Sequence, residues 1–290
     1  MGEAVSRNND FDEIWYWYLT GEFRHGLSPK QLSQLKFEQR LYSVLPGSPR
    51  CMECHVPFAG IGGFIVSLMG VGPSSLTPRL CNMCEKGALK EESGAEVELS
   101  LLFADVRGST MLAESTSTQA FKELINRFYK TAADVLVRHD GMVGRLIGDQ
   151  VIGLFAPRFA GDHHAEVALE AASDLLLATG HEPGSVPWIK IGVGVHTGDV
   201  YVGAVGSKDG VNEIAVLGTG ANLAARLSSE AADGEVLVSP AAVQAAGLPK
   251  GAGRPRSVKL KGIKGAVTVR VFRSASPLEK VRQPTRPRVR

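Results

Sequence analysis

The feature that most constrains this 290-residue chain is an apolar run that ends on an aspartate and breaks at once into a Gly-Ser-Thr turn, at 101–110 (LLFADVRGST). The residues before it alternate and then become wholly apolar, which is typical of a strand entering a buried sheet. Asp105 is therefore expected at the end of a buried strand. A single carboxylate there is usually a turn former, so its meaning depends on a second acidic residue.

That second residue is Asp149. The segment 145–155 (RLIGDQVIGLF) has two short apolar arms around Gly148 and Asp149, which predicts a β-hairpin with the acidic residue at its tip. Two aspartates held against apolar strands can share divalent ions, and Mg²⁺ favours one or two carboxylates plus substrate phosphates over a full protein cage. The pair therefore indicates phosphoryl chemistry.

A third segment, 216–231 (VLGTGANLAARLSSEA), carries Asn222 and Arg226 in an alanine-rich stretch that predicts a helix. At a spacing of four, both side chains leave the same face one turn apart. Such a pair is usually a solvated face. Here Leu223 and Leu227 mark an apolar side, and the Gly-Thr-Gly turn directs the start of the helix.

These segments resemble the class III nucleotide cyclases, from about residue 97 to residue 272. The resemblance rests on five blocks in the family's order and close to its spacing: FADVRGST, RLIGDQVIGLF, IGVGVHTGDVYVGAVG, VLGTGANLAARLSSEA and LKGIKGAVTVRVF. Five ordered blocks are specific, whereas one alone would be weak. Strands alternating with helices predict an α/β layered domain. The resemblance implies a ferredoxin-like βαββαβ catalytic domain with extra C-terminal elements. In that fold helices and strands both contribute but the sheet is largely antiparallel, which is the α+β class.

Further expectations concern single elements of this domain. Amphipathic patterning predicts helices at 118–139 and 163–177. Two strands are expected at 188–195 and 200–205, joined by a turn at His196-Thr-Gly-Asp.

The resemblance also assigns site residues. Asp105 and Asp149, with the backbone of Val106, would hold two Mg²⁺ or Mn²⁺ ions, and backbone amides over 106–110 would cradle the phosphates. Asn222 would orient the ribose, and Arg226 would stabilise the charge that develops on the α-phosphoryl group. The remaining substrate-binding positions are Arg107, Gly108, Ser109, Thr110, Arg145, Ala215 and Lys261.

In the resembled family the two metal aspartates and the Asn/Arg helix of one site come from different subunits. This chain carries both halves, so the resemblance implies a C2 homodimer with shared active sites and a nucleoside triphosphate substrate. A 3′,5′-cyclic nucleotide and pyrophosphate would be the products. A catalytically silent, nucleotide-binding homologue is the alternative within the same fold.

Two positions depart from the family's base-selecting patterns. Adenine-selective members have a Lys at the position of Arg145 and an Asp or Thr at that of Ala215. Arg145 has donors but no acceptor, and the Ala215 side chain cannot form a hydrogen bond. ATP is the first choice because it is the family's commonest substrate. A guanylate or pyrimidine nucleotide cyclase is the alternative.

The four cysteines of the chain form two CxxC pairs, and they are Cys51, Cys54, Cys81 and Cys84. Two such pairs can make one tetrahedral thiolate site, which a reducing compartment uses for metal more readily than for disulfides. Zinc is the first choice, and an iron–sulfur cluster on the same cysteines is the alternative. The glycine-rich stretch between the pairs is interpreted as a turn-rich part of this module.

The chain is expected to divide into a helical segment (1–48), a metal-binding module (49–88), the catalytic domain (95–273) and a basic, disordered tail (274–290). The opening residues are polar, and the apolar run at 56–72 is too short and glycine-rich to span a bilayer, so a cytoplasmic location without a transmembrane segment is expected. The near-neutral net charge of +2 argues neither for nor against an acidic partner. A zinc-dependent nucleic-acid-binding protein is the alternative of a different class, but no nucleic-acid partner is expected because basic residues do not flank the cysteines.

Overall fold

A computed structural model describes residues 2–26, 28–74, 76–89, 93–206, 213–263 and 265–273, without the side chains of 2–10, 30–31 and 145–147. The predicted tail at 274–290 lies outside the described residues. The helices are α1 (Gly2–Thr20), α2 (Pro29–Ser43), α3 (Gly60–Leu68), α4 (Asn82–Ala88), α5 (Ser109–Ser115), α6 (Thr118–Arg138), α7 (Pro157–Ala160), α8 (His164–Ala178), α9 (Thr219–Glu230) and α10 (Pro240–Ala245). The strands are β1 (Gly94–Val106), β2 (Met142–Ile147), β3 (Gln150–Phe155), β4 (Ile191–Val205), β5 (Glu213–Leu217), β6 (Glu235–Val238), β7 (Arg254–Lys259) and β8 (Ala266–Arg273).

The strands of the described chain form one eight-stranded sheet in the order β2-β3-β1-β4-β6-β8-β7, with β5 pairing the later half of β4. In the part of the sheet formed by β2, β3, β1 and β4, each strand is antiparallel to the next one. Helix α6 connects β1 to β2, and α8 lies in the connection from β3 to β4. This is the ferredoxin-like βαββαβ arrangement expected from the sequence, and the prediction of the fold class is confirmed. Strand β6 then extends the sheet parallel to β4.

Helices cover both faces of the sheet, because β1 is apolar on both of its sides. Leu102 and Ala104 face the side where Phe128 of α6 and Leu169 of α8 are buried. The odd-numbered residues of β1 point to the opposite face. There, Leu99, Leu101 and Phe103 share a cluster with α1, the cysteine module and α9.

The expected break in strand β4 is absent, and that prediction was wrong. β4 is one strand of 15 residues, and it pairs with β1 from Ile191 opposite Val106 to Gly203 opposite Gly94. β1 is itself 13 residues long, so it offers a hydrogen-bonding partner across the expected turn. At that point the hydroxyls of Ser100 and Thr197 lie 2.6 Å apart, so the polar residues support the pairing.

The glycine-rich stretch also differs from its interpretation as turns, since it contains helix α3. Its glycines permit close packing of this helix against the preceding loop. A Cβ built on Gly62 would lie 2.4 Å from the carbonyl oxygen of Pro46, and one on Gly63 would lie 2.6 Å from the carbonyl carbon of Phe58. Both distances are too short for a side chain, so glycine is required at these positions for contact rather than for turning.

Helix α1 joins the N-terminal region to the sheet. Trp15, Tyr18 and Leu19 are buried in the cluster that also contains the odd-numbered residues of β1, such as Leu99 and Leu101. The carboxylate of Asp12 accepts a hydrogen bond of 3.0 Å from the amide of Gly94, the first residue of β1. Among the described helices, none combines the length and the apolar character needed to cross a bilayer.

Candidate functional site

The two predicted metal aspartates lie at one end of the sheet. Asp105 is opposite Gln150 of β3 and Gly192 of β4. Asp149 lies in the two-residue turn between β2 and β3, and its carbonyl oxygen accepts a hydrogen bond of 3.2 Å from the amide of Val106. The strand end and the hairpin tip are therefore joined by backbone contact, and the structure brings both carboxylates to the same place.

Tyr129 of α6 holds the hairpin tip in this position, because its hydroxyl donates a hydrogen bond to the carbonyl oxygen of Gly148. Burial raises the pKa of Tyr129, and the nearby charge of Asp149 raises it further. Gly148 has φ 61°, a left-handed conformation that suits glycine in a tight hairpin. The sequence analysis did not single out Tyr129, whose role depends on a contact 19 residues away.

Asp105 is half-buried, and burial raises its pKa above the ordinary value. Arg107 opposes this shift and Asp149 adds to it. The rise reflects the cost of holding two carboxylates together in a partly desolvated place. A divalent cation would lower that cost.

Arg107 takes a position that the sequence did not predict. Its guanidinium forms an ion pair with Asp105 and donates a hydrogen bond of 2.7 Å from Nη1 to the carbonyl oxygen of Ser229, at the end of α9. A second, longer contact of 3.4 Å reaches the carbonyl oxygen of Ala231. Cations interact favourably with the carbonyls at a helix C-terminus. Arg107 therefore connects Asp105, a predicted metal ligand, to α9.

The predicted phosphate cradle is narrower in the structure. The amide of Val106 donates to Asp149, and that of Arg107 donates to the carbonyl oxygen of Lys190 at 2.8 Å, so both have partners within the fold. Gly108, with φ 69°, precedes the short helix α5. The amides of Ser109 and Thr110 lie in its first turn, where helical geometry provides no internal acceptor.

The Asn/Arg helix forms as predicted, and it is α9. Ala224 and Leu227 are buried on its inner side, whereas Asn222 is exposed and Arg226 is half-buried on the outer side. A Cβ built on Gly262 would lie 3.3 Å from Nη2 of Arg226. The loop between β7 and β8, with the exposed Lys261 next to that glycine, therefore lies beside the Arg226 guanidinium.

Asn222 and the carbonyl group that Arg107 contacts lie towards different ends of α9. Asn222 precedes Ser229 by seven residues, which corresponds to about 10 Å along a helix axis. Arg107 and Asp105 are attached at the Ser229 end. Arg226 lies between Asn222 and Ser229, less than one turn from the carbonyl group that Arg107 contacts.

The two positions predicted to select the base lie on β2 and β5, which are not paired with each other in the sheet. Ala215 is half-buried on β5 opposite Gly203, and Arg145 belongs to β2, with its side chain outside the described residues. β2 and β5 approach each other, and Met142 and Ile214 line the same small apolar cavity. The structure thus places both positions in one region.

The four cysteines converge in the N-terminal module. Their sulfur atoms all lie within 4.8 Å of one another, with 3.8 Å between Cys51 and Cys84 and 3.7 Å between Cys54 and Cys81. Backbone amides donate to two of the sulfurs at 3.3 Å, from Cys81 to Cys51 and from Cys84 to Cys81. Amide donors of this kind favour thiolates. The cluster can hold a metal ion, as the sequence predicted.

Arg158 of α7 connects this module to the part of the chain that forms the sheet. Its Nη1 donates to the carbonyl oxygen of Trp17 at 3.1 Å, and its Nη2 lies 3.4 Å from the carbonyl oxygen of Met52, inside the first CxxC motif. The guanidinium also lies 3.8 Å from the centre of the Trp17 ring. No local sequence signal could reveal these contacts, since they join residues more than 100 positions apart.

Comparison with known proteins agrees with this geometry. The uncharacterized protein Rv1318c of Mycobacterium tuberculosis is 32% identical over 176 residues, which cover 58% of this chain and 31% of that protein. Rv1319c of the same organism is 30% identical over 134 residues, covering 46% of this chain and 24% of that protein. The chain therefore spans less than a third of the length of these relatives.

Solved structures resemble the same part of the chain. The guanylyl cyclase Cya2 has a TM-score of 0.56 and 27% identity, over 61% of this chain and 92% of that one. The adenylyl cyclase CyaB from P. aeruginosa has a TM-score of 0.53 at 24% identity, over 62% and 96%, a likeness that shows the fold alone. The model of the adenylate and guanylate cyclase catalytic domain matches residues 92–270, more than half of the chain. The chain therefore belongs to the adenylate and guanylate cyclase family.

Proposed function

We propose that the chain is a nucleotide cyclase that converts a nucleoside triphosphate, with ATP as the first choice, to the 3′,5′-cyclic monophosphate and pyrophosphate. The observation that carries this proposal is the backbone contact between the end of β1 and the tip of the β2–β3 hairpin. This contact brings Asp105 and Asp149 to the same end of the sheet. The separate assembly of Asn222, Arg226 and Lys261 around the outer side of α9 supports it. The reaction needs nucleoside triphosphates and so fits the cytoplasmic location expected from the sequence.

The aspartates suit Mg²⁺ or Mn²⁺. Both provide hard oxygen ligands, and burial raises the pKa of Asp105, with the nearby charge of Asp149 adding to the rise. We propose that Asp105, Asp149 and the backbone of Val106 hold two such ions. When bound, the ions would supply Lewis-acid activation of the ribose 3′-hydroxyl and neutralise charge on the triphosphate. Arg107 must then release the Asp105 oxygen that it now contacts.

The remaining residues act on the substrate directly. Arg226 provides a fixed positive charge for the α-phosphoryl oxygens, and Asn222 provides amide hydrogen bonds that orient the ribose. Lys261 contributes a mobile charge for the triphosphate tail from the adjacent loop. The amides of Gly108, Ser109 and Thr110 approach the phosphates at the start of α5.

Two copies of the chain complete each site in this proposal. The chain carries both the aspartate pair and the Asn222 and Arg226 pair, as a homodimer with two equivalent shared sites requires. We expect Asp105→Ala and Arg226→Ala proteins to be inactive separately and to regain up to about a quarter of wild-type activity when mixed, since random pairing leaves one intact site in half of the dimers. If exchanging, dimeric mixtures stay inactive, the shared site is wrong.

The substrate is tested by incubating the protein with ATP, GTP, CTP and UTP separately, with Mg²⁺ and with Mn²⁺. Mass spectrometry identifies the products, and Asp105→Ala is the control. The substrate needs this test because Arg145 and Ala215 match no established base pattern. A cyclic product from GTP alone, or from a pyrimidine nucleotide alone, would favour the alternative cyclases. No product from any nucleotide in a dimeric preparation, with binding retained, would favour a silent binding homologue.

We further propose that the module at 49–88 holds one zinc ion on Cys51, Cys54, Cys81 and Cys84. Four thiolates in a tetrahedron at a Zn–S distance of about 2.3 Å lie about 3.8 Å apart. The Cys51–Cys84 and Cys54–Cys81 sulfur pairs lie at 3.8 and 3.7 Å, and all four sulfurs lie within 4.8 Å of one another. A cluster of several irons places its cysteines on different metal atoms and spreads them farther. One zinc per chain in a colourless protein is expected, whereas stoichiometric iron with visible absorption would contradict it.

A further inference from the structure

Helix α3 presents its large apolar side chains to solvent. Its buried positions are Gly62, Gly63 and Val66, and the two glycines pack against the preceding loop. The exposed side chains, with exposed fractions between 44% and 75%, are those of Ile61, Phe64, Ile65, Leu68 and the adjoining Met69. Residues at this spacing lie along one face of a helix, which we call the α3 face. A contiguous apolar patch of this kind marks an interaction site.

Exposed apolar side chains are concentrated in this part of the chain. Of the fifteen large hydrophobic residues that are exposed in the described part of the protein, ten lie between residues 32 and 83. They include Phe37 and Leu41 on α2 and Val44 directly after it. The amide of Gly62 donates to the carbonyl oxygen of Pro46 at 2.8 Å, so α3 begins beside the loop that follows α2. The two helices therefore form neighbouring parts of one surface region.

Polar groups of α3 and of the residues after it are paired within the protein. The hydroxyl of Ser67 donates to the carbonyl oxygen of Phe64 at 2.7 Å, and the amide of Gly70 donates to the carbonyl oxygen of Ser67 at 2.9 Å. The carbonyl oxygen of Gly70 accepts from the side-chain amide of Asn82 at 2.8 Å. Hydrocarbon requires such internal pairing, whereas a protein interface forms about one hydrogen bond per 100–200 Å². The α3 face therefore suits lipid acyl chains better than a protein partner.

The exposed charges of this region have one sign. Among the described side chains of 32–89, the exposed charged residues are Lys36, Arg40 and Lys86. Lys36 and Arg40 each precede one of the exposed apolar residues of α2, and no acidic residue occurs within 54–84. Long basic side chains can reach anionic headgroups while their apolar neighbours enter the acyl region. The charges of the region therefore complement an anionic lipid surface.

We propose that the α3 face is a docking surface for an anionic lipid bilayer. The helix lies in the plane of the interface, where Phe64 and Leu68 enter the acyl region of one leaflet. Lys36, Arg40 and Lys86 contact the headgroups. A helix in this position rests on the bilayer and does not span it. Docking holds the cysteine module at the lipid surface, and the inference does not rest on the proposed reaction.

Vesicle flotation with the full-length, metal-loaded protein tests the proposal. Vesicles of phosphatidylcholine with about 30% phosphatidylglycerol should bind the protein, and vesicles of phosphatidylcholine alone should bind it at least about fivefold more weakly. Salt should weaken the binding without abolishing it, because screening removes only the attraction of the cations. Absence of binding to the anionic vesicles, or complete release by salt, would overturn the proposal without the use of variants.

A tryptophan on the α3 face tests insertion directly. In the Phe64→Trp protein, the additional emission should be quenched by brominated acyl chains in the anionic vesicles. Val186→Trp is the matched control, because Val186 is 90% exposed and lies outside 32–89. Its additional emission should not be quenched. If the bound Phe64→Trp protein shows no more quenching than the control, the α3 face does not enter the bilayer and the proposal is wrong.

Polar substitutions then measure the contribution of the face. Phe64→Gln and Leu68→Gln should each weaken binding to the anionic vesicles at least about fivefold, whereas Val186→Gln should change it less than about twofold. Circular dichroism and metal content identify any variant that has lost the module, in which case the Phe64→Trp result decides. Equal binding by folded Phe64→Gln, Leu68→Gln and wild-type proteins would overturn the assignment.

Two further measurements separate the bilayer from other occupants. Replacing Lys36 and Arg40 with Gln should remove most of the preference for anionic vesicles, whereas the same change at Lys122 and Lys130 on α6 should leave it unchanged. Sedimentation without lipid compares the oligomeric state of wild type and Phe64→Gln. If the variant loses a self-association that wild type shows while vesicle binding is unchanged, a second copy of the chain covers the α3 face and the proposal is overturned.

Discussion

Leu19 tests whether the N-terminal helices and the catalytic sheet unfold as one unit. Its side chain is fully buried near the end of α1, in the cluster that contains Leu99 and Leu101 of β1. Truncation to alanine removes buried carbon atoms and leaves a cavity, at a typical cost of about 2–5 kcal/mol. With a urea dependence of roughly 3 kcal/mol/M, a loss of about 3 kcal/mol lowers the unfolding midpoint by roughly 1 M.

Leu68→Ala is the matched control. Leu68 is also a leucine at the end of a helix, the last residue of α3, but it is 74% exposed. Its truncation should change the free energy of unfolding by less than about 0.5 kcal/mol. The contrast between the two variants separates the effect of burial from the effect of helix propensity, since both changes replace leucine with alanine.

The chain's three tryptophans provide a reporter on each side. A protein that keeps only Trp17 reports on α1, and one that keeps only Trp188 reports on the opposite face of the sheet, where Trp188 packs beside the α6 and α8 cluster. We expect Leu19→Ala to lower both fluorescence midpoints equally. A Trp188 midpoint that stays constant while the Trp17 midpoint falls would refute the single cooperative unit.

Three other perturbations have defined outcomes. Arg107→Met removes the positive charge that lowers the pKa of Asp105, so that pKa should rise. Mn²⁺ titrations followed by electron paramagnetic resonance should show tighter Mn²⁺ binding than in wild type at pH 8, because the arginine no longer competes for the carboxylate. The affinity for Mn²⁺ should then fall more steeply than in wild type as the pH is lowered. Glu235→Gln should cost about 1–3 kcal/mol near neutrality. Burial alone would raise the pKa of Glu235, but hydrogen bonds from two arginines lower it overall, so the wild-type advantage should be complete above the ordinary value of 4.5 and disappear as the pH falls through the lowered pKa in calorimetric melts. Gly62→Ala should destabilise the cysteine module, because the added methyl would lie 2.4 Å from a carbonyl oxygen. A metal ion bound by the four cysteines should then be lost at a lower chelator concentration than in wild type.

Much of the aspartate end could be predicted because the signals are local. The apolar run before Asp105 and the Gly148-Asp149 hairpin each specify a strand end within a few residues, and neighbouring strands then bring the ends together. The helical spacing of Asn222 and Arg226 is equally local. The two CxxC pairs predicted their own convergence, because a tetrahedral thiolate site needs both.

Long-range contacts limited the rest of the prediction. The turn expected at His196 is compatible with its own residues, but β1 offers a partner along the whole of β4 and the paired strand is the outcome. Substrate binding by Arg107 stays a prediction, and no local signal indicated its contact with the carbonyl oxygen of Ser229, 122 residues away on α9. Such contacts depend on topology, which local patterns do not encode.

The architecture also restricts how the N-terminal module can influence the aspartates. β1 begins at a contact with Asp12 of α1 and carries Asp105 next to its last residue, so it connects the two regions directly. It is paired along its whole length with β4 and through its second half with β3. Sliding it alone would break both registers, and a one-residue shift would reverse every side chain between the two faces. An influence of the N-terminal module on the aspartates therefore has to act through the packing of α1 and α9. These two helices share one cluster on the same face of the sheet, through residues such as Trp15 and Ala224. Since α9 carries Arg226 and is attached to Asp105 through Arg107, a small displacement on this face would alter both halves of the proposed site while the α6 and α8 side stays fixed.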